Sequence, residues 1–295
     1  MPIFNSGHPI ANLETLDVSI DEKLGAFWVM MKKSGPQNFS KQMLFDISAS
    51  QSFIANEYMS RKHYLENSGG DVTQIRFWVF GSRLSGLFNL GGDLEFFYET
   101  IIDRRWDELS YYAHKCVDVS YNAATGMGLP IISVAFVQGD ALGGGFEAAL
   151  SHGFIIAEKR ARFGLPEVMF NMFPGMGAYN LLSYRTNRHQ AENIILSGRV
   201  YTAQEMYDLG VVDVLLEDDS GDDDVSRFLA ELGKKHNALS AIKSVRLETE
   251  PMGLGAMRRI ADIWVDSAKT LKDGDLKKMS RLIAAQKRRR KKIIG

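Results

Sequence analysis

Three short stretches carry residue types that could do chemistry together. In "VQGDALGGGFEAALS" (residues 137–151), three consecutive glycines, Gly143 to Gly145, stand directly before a helix-like run that contains Glu147. In "FNLGGDL" (residues 88–94), Gly91 and Gly92 follow an aromatic strand-like segment and open another helix-like run. In "FGLPEVMFNMFPGMGA" (residues 163–178), Glu167 sits among Leu165, Val168, Met169 and Phe170. Glycine has no Cβ, so a ligand can come close to the backbone. The start of a helix adds free N–H groups and the positive end of its dipole. Two such loops can aim two N–H donors at one oxygen that becomes negative during reaction. Gly144 or Gly145 fits one donor, and the "FNLGGDL" loop offers the other. A carboxyl group in apolar surroundings has a raised pKa, which suits acid–base work. Each feature alone reads as a tight turn or a surface carboxylate. Together they suit removal of the proton beside a thioester carbonyl and movement of a second group at the β carbon.

Other chemistries fit less well. The histidines (His8, His63, His114, His152, His189 and His236) are not at metal-ligand spacing with one another or with cysteine, so no metal site is expected. No G-x-S-x-G nucleophile elbow occurs. "GGGFEA" matches a dinucleotide fingerprint, G-x-G-x-x-A, with Glu167 downstream as the ribose acid. That acid should end a strand, yet Glu167 follows a glycine and a proline, and the match lies near mid-chain. No cofactor is expected.

The glycine loops need strands before them and helices after them. "GAFWVMMK", "QIRFWVF", "LPIISVAFV" and "FIIAEKRARF" read as strands, with "KHYLENSGGD" a polar turn before the second. "GDLEFFYETIIDRRWDELSYYAHKCVDVSYNAAT" has apolar residues at helical spacing and reads as one or two long helices. Strand–helix alternation predicts an α/β layer structure. After Pro174 the chain becomes mainly helical. "TAQEMYDLG" is a helix with Thr202 and Glu205 as a capping box and Gly210 as its stop, and "VVDVLL" is a short strand. The plan divides into an α/β core over residues 1–215 and a helical C-terminal region over 216–295.

Composition sets the frame. The 295 residues are 45% hydrophobic and 24% charged, enough for a sizeable core. The sole cysteine, Cys116, excludes an internal disulfide, which suits a reducing compartment. No apolar stretch approaches a bilayer span, and the N-terminal residues lack a secretory pattern, so a cytoplasmic protein without membrane insertion is expected. The net charge is −1, with an acidic stretch, "EDDSGDDD", and a basic tail, "KRRRKK" (residues 287–292). Both read as solvated ends or loops. The tail has a sharper reading as a dock for an acidic partner; no nucleic-acid motif accompanies it.

The order and separation of "FNLGGDL", "VQGDALGGGFEAAL" and "FGLPEV…FPGMGA" resemble the crotonase (enoyl-CoA hydratase/isomerase) superfamily from about Gly25 to Leu216. With "LPEVMFNMFPGMGAY" and "IWVDSA", the wording is similar to the diffusible-signal-factor synthases, the RpfF-like branch, over nearly the whole chain. That resemblance implies a ββα-spiral core with a helical C-terminal trimerisation region, and a homotrimer. It implies Glu147 and Glu167 as the catalytic acids and Gly92 and Gly144 as the oxyanion donors. It also implies Leu142, Gly143 and Trp264 as substrate-binding residues. The implied reaction is dehydration of a 3-hydroxyacyl-acyl-carrier-protein to a cis-2-enoyl thioester. Thioester hydrolysis then releases a cis-2-unsaturated fatty acid used in quorum sensing. A sensor-kinase receiver domain is the implied protein partner. Hydration or isomerisation of an acyl-CoA is the alternative. The basic tail departs from the family pattern.

Overall fold

The computed structural model describes residues 10, 12–60, 64–66, 72–84, 86–249 and 253–294. In chain order, β1 (Leu16–Asp21) and β2 (Ala26–Met31) precede α1 (Lys41–Ser60). The short strands β3 (Tyr64–Glu66) and β4 (Val72–Gln74) pair antiparallel ahead of β5 (Phe77–Ser82) and β6 (Gly86–Asn89). Two helices follow, α2 (Leu94–Ile102) and α3 (Trp106–Thr125). Next come β7 (Ile132–Val137), β8 (Gly139–Leu142), α4 (Gly144–Leu150), β9 (Phe154–Glu158) and β10 (Arg162–Gly164). A 3-10 turn, Pro166–Phe170, leads to α5 (Ala178–Arg185), α6 (Arg188–Ser197), β11 (Val200–Thr202), α7 (Ala203–Asp208) and β12 (Val214–Leu216). The rest is helical: α8 (Asp222–Gly233), α9 (His236–Thr249), α10 (Leu254–Ala268) and α11 (Asp273–Ile294).

The strands form two main layers. A six-stranded sheet runs β1-β2-β5-β7-β9-β12, parallel except for β1 on β2. A four-stranded sheet runs β11-β10-β8-β6, parallel within β10-β8-β6. Three times the chain lays one strand in the first sheet, turns, and lays the next in the second sheet: β5 to β6, β7 to β8, β9 to β10. A helical segment follows each pair. This is the expected ββα plan with C-terminal helices. The central strands β2, β5 and β7 are buried throughout because helices cover both faces of the large sheet. Phe27, Val29, Trp78 and Phe80 enter the main core, while Trp28, Met30, Phe77 and Val79 pack on the other side with Val225 and Leu229 of α8. Each such fully buried large side chain contributes roughly 1.5–3 kcal/mol.

Some expected elements differ. "FIIAEKRARF" is not one strand; the chain turns at Lys159–Ala161, and Arg162 starts β10 in the other sheet. Only three residues separate the two strands, so the turn between the sheets leaves little mark in the sequence. The "polar turn" at residues 62–71 contains β3, with its remaining residues outside the described ones. Gln74 ends β4 rather than starting the next strand. The acidic stretch is only half a loop: Asp222, Asp223 and Asp224 form the first turn of α8, where the helix dipole favours them. Glu217 and Asp219 pair with Lys159 and Arg160. The helix at residues 203–208 does carry the Thr202–Glu205 capping box, and Gly210 follows its end at φ 75°.

Candidate active site

The segments after β6, β8 and β10 meet at a cavity of about 300 Å³. Gly92, Leu142, Gly143, Gly144, Glu147, Glu167 and Trp264, all singled out in the sequence, line it. The two glycine loops pack backbone to backbone. A Cβ on Gly91 would stand 2.8 Å from the amide nitrogen of Gly144, and one on Gly144 would stand 3.3 Å from that of Gly92. Side chains there would prise the loops apart. The first loop is pinned at both ends. Gly91 N–H donates to Asn89 Oδ1 at 2.7 Å, and Gly91 O accepts from Phe39 N at 2.8 Å. Asp93 then caps α2 through Phe96 N. In the second loop Gly143 adopts φ 53°, ψ −128°, a conformation open to glycine, and donates its N–H to Gly164 O at 2.8 Å. Gly144 is the first residue of α4, so its N–H has no partner within the helix.

Glu147 is buried in the first turn of α4. Its Oε1 accepts N–H bonds from Met176 at 2.8 Å and Ala178 at 3.1 Å. Burial pushes its pKa up, and those two N–H donors partly offset the rise by favouring the ionised form. Glu167 lies in the 3-10 turn. Its carboxylate faces the second loop: Oε1 would be 2.6 Å from a Cβ on Gly143. Its Oε2 is buried without a hydrogen-bond partner. Burial is also the main cause that raises its pKa, and the neighbouring Glu147 charge adds to it. The two carboxyls thus titrate as a pair, and their environments differ in hydrogen-bond donors.

The other walls are apolar. Phe97 of α2 covers Gly92, with its ring tip 2.6 Å from where a Cβ would stand. Trp264 of α10 crosses Phe97 edge to face at 5.0 Å. Tyr112 and Cys116 of α3 lie deeper, and burial raises both of their pKa values, keeping them neutral. The Tyr112 hydroxyl donates to Phe39 O and accepts from Asp93 N at 3.2 Å, which anchors the first glycine loop. Leu282, Ala285 and Gln286 of α11 form one further wall, and Met169, Phe170 and Val200 another. Phe97, Tyr112, Cys116, Met176 and the α11 residues were not singled out in the sequence. Phe97, Tyr112, Cys116 and the α11 residues lie on helices whose apolar stripe looks the same facing a core or a cavity, and Met176 lies in the turn before α5. Among the described residues, no group of His, Cys, Asp and Glu could hold a metal ion, and no helix is long and apolar enough to cross a membrane.

Two adjoining glycine loops and two buried carboxyls on a ββα spiral define a crotonase-fold protein. The family model for enoyl-CoA hydratase/isomerase matches residues 52–260. The chain therefore belongs to the enoyl-CoA hydratase/isomerase family. It is 41% identical over 100 residues to the mevalonyl-coenzyme A hydratase SIDH of Beauveria bassiana, covering 34% of this chain and 36% of that protein. It is 42% identical over 79 residues to a probable enoyl-CoA hydratase of Rhizobium meliloti, covering 27% and 31%. The chain thus spans about a third of the length of these relatives. The enoyl-CoA hydratase structure from Bacillus halodurans superposes with a TM-score of 0.72 at 19% identity, over 91% of this chain and all of that one. Pseudomonas aeruginosa DspI does so with a TM-score of 0.65 at 17% identity, over 89% and 98%. These two likenesses concern the fold.

Proposed function

We propose that this chain moves water on or off the Cα–Cβ bond of a fatty acyl thioester. One observation carries the proposal: Glu147 and Glu167, both with raised pKa, line one apolar cavity together with Gly92 and Gly144. The N–H groups of Gly92 and Gly144 hold the thioester oxygen as it gains charge; one such donor is worth roughly 3–4 kcal/mol in the transition state. Glu147, whose ionised form is held by two N–H donors, takes the α proton. Glu167, with no donor at Oε2 and a negative neighbour, keeps its proton and gives it to the departing β-hydroxyl. The C–O bond breaks, water leaves, and the Cα–Cβ double bond forms. Hydration is the same path reversed. The rate should follow a bell-shaped pH profile, both limbs lying above the ordinary carboxylate range. A flat profile through neutrality would contradict a proton-sharing pair.

Within that chemistry, the motif wording points to a finer reading. The substrate is a 3-hydroxyacyl-acyl-carrier-protein, and water then attacks the cis-2-enoyl thioester to release a cis-2-unsaturated fatty acid. The names of the relatives favour the acyl-CoA hydratase alternative. Crotonyl-CoA hydration and release of free cis-2-enoic acid from 3-hydroxyacyl-carrier-protein, assayed side by side, separate the two. Hydration without acid release selects the hydratase. Acid release selects the synthase. Neither activity would overturn the proposal. A homotrimer and a receiver-domain partner belong to the finer reading; light scattering and a pull-down with a Glu147→Ala variant test them. The basic tail continues α11, and its Lys287 pairs with Glu95 of α2. The side chains of residues 289–292 lie outside the described ones. If the tail docks an acidic carrier, neutralising residues 288–292 flattens the salt dependence of carrier binding.

A further inference from the structure

A second, smaller cavity of about 20 Å³ lies between α1, α3, β5 and the end of α4. Trp78, Ser120, Ala148, His152 and Met176 are among its walls. Two of these adjoin Glu147: Ala148 follows it in the chain, and Met176 donates its N–H to the carboxylate. Three polar groups in the walls have no protein partner, namely the Trp78 indole N–H, the Ser120 hydroxyl and His152 Nε2. All three residues are more than nine-tenths buried.

The character of each group follows from its bonds. His152 Nδ1 lies 2.7 Å from Ala148 O. A carbonyl oxygen only accepts, so Nδ1 carries the hydrogen. Burial holds the imidazole pKa down to about 4, so the ring is neutral and Nε2 is a bare acceptor. The Trp78 ring stacks on His152 at 5.2 Å and 4°, which sets the two in-plane nitrogens in parallel planes. An N–H donor, a bare nitrogen acceptor and a hydroxyl that does both are the complement of one water molecule. The cavity exceeds the roughly 10–15 Å³ that one water needs.

We propose that this chamber binds one internal water, held by Trp78 Nε1–H, His152 Nε2 and Ser120 Oγ, and that His152 is a positioning residue for Glu147. The mechanical link is short. His152 Nδ1–H and Ser151 Oγ–H, the latter at 2.7 Å, both donate to Ala148 O, while Ser151 N–H donates to Glu147 O at 3.0 Å. Because α4 has only seven residues, this closure of its last turn lies within one turn of the carboxylate. Water fixes the imidazole, the imidazole closes the helix, and the helix aims Glu147 between the N–H groups of Met176 and Ala178.

The water site stands on geometry alone; the positioning role rests on the acid–base reading of Glu147. The test pairs His152→Asn, which keeps a donor near Nδ1 but no acceptor near Nε2, with Ser120→Ala. High-resolution crystal structures should show one ordered water in the wild-type chamber. Thermal unfolding should give a double variant less destabilised than the sum of the singles, because both act through one water. His152→Gln, whose amide reaches the Nε2 position but leaves Ala148 O without the Nδ1 donor, should lower kcat about tenfold with KM unchanged, as expected for a misaimed carboxylate, and His152→Asn, which keeps that donor, should retain more of the activity. A dry chamber, or strictly additive singles, overturns the water site. An unchanged kcat in His152→Gln, or a fall in His152→Asn as large as in His152→Gln, overturns the positioning role. If His152→Asn fails to fold, Ser120→Ala alone decides the water site by its crystal structure and the positioning role by its kcat. A wild-type protein inactive on every thioester removes the acid–base reading and the positioning role with it, leaving the water and the coupling readable.

Discussion

Glu147 and Glu167 are the same residue type, and the difference between them lies in what surrounds their oxygens. Glu147 has two backbone N–H donors; Glu167 Oε2 has none. Replacing either by Gln should lower kcat/KM by about 10²–10⁴-fold, measured by initial rates on an accepted thioester. Full activity in either variant would remove that residue from the chemistry. Stability should move the other way. A carboxyl whose folded pKa is raised binds its proton more tightly in the native state than in the unfolded chain. Its stabilising share is complete below the unfolded pKa and is lost as pH rises through the folded value. Glu167→Gln should therefore unfold at a higher temperature than wild type, by a margin that widens as pH rises from the ordinary glutamate range toward its raised value. An equal margin at all pH values would mean that Glu167 is not held protonated by burial. Both acids were legible in the sequence from their neighbours; the asymmetry between them was not, because its donors, Met176 and Ala178, come from a segment about thirty residues away in the chain.

At the scale of elements, legibility depended on whether the signal was local. The capping box at Thr202 and Glu205 was readable because both partners lie within one turn. Thr202→Ala should cost about 1 kcal/mol in chemical denaturation; no change would mean that tertiary packing alone holds α7. The step from β7 into β8 was hidden, since "ISVAFV" and "GDAL" are separated only by Gln138 yet enter different sheets. Gly139 makes the step: a Cβ there would overlap the backbone at Gly86 and Leu87. Gly139→Ala should destabilise the fold by about 3 kcal/mol or more, and an unshifted denaturation midpoint would contradict the close approach. Nothing in the residues around Gly139 says that another strand presses on it.

The whole molecule decides the size of the site. α11, some 130 residues beyond the second glycine loop, closes the cavity with Leu282 and Ala285. It is tied down where Gln286 donates to Leu90 O at 3.2 Å and Lys287 pairs with Glu95. Ala285→Phe should fill part of the 300 Å³ and shift preference toward shorter acyl chains, read as kcat/KM across a chain-length series. An unchanged preference would place the acyl chain elsewhere. Trp264 depends on Gly175 in the same way, since a Cβ at 175 would stand 2.6 Å from the indole.

By itself the sequence determined the α/β class, the three motifs and the two acids, because hydrophobic period, turn chemistry and capping act over a few residues. Only the tertiary structure decided that Gly92 and Gly144 stand side by side, that Glu147 Oε1 is held by the N–H groups of Met176 and Ala178 while Glu167 Oε2 has no partner, and that α11 supplies a wall. Those facts are contacts between segments far apart in the chain, set by packing and by which buried polar atoms find partners. No local pattern of residues encodes them.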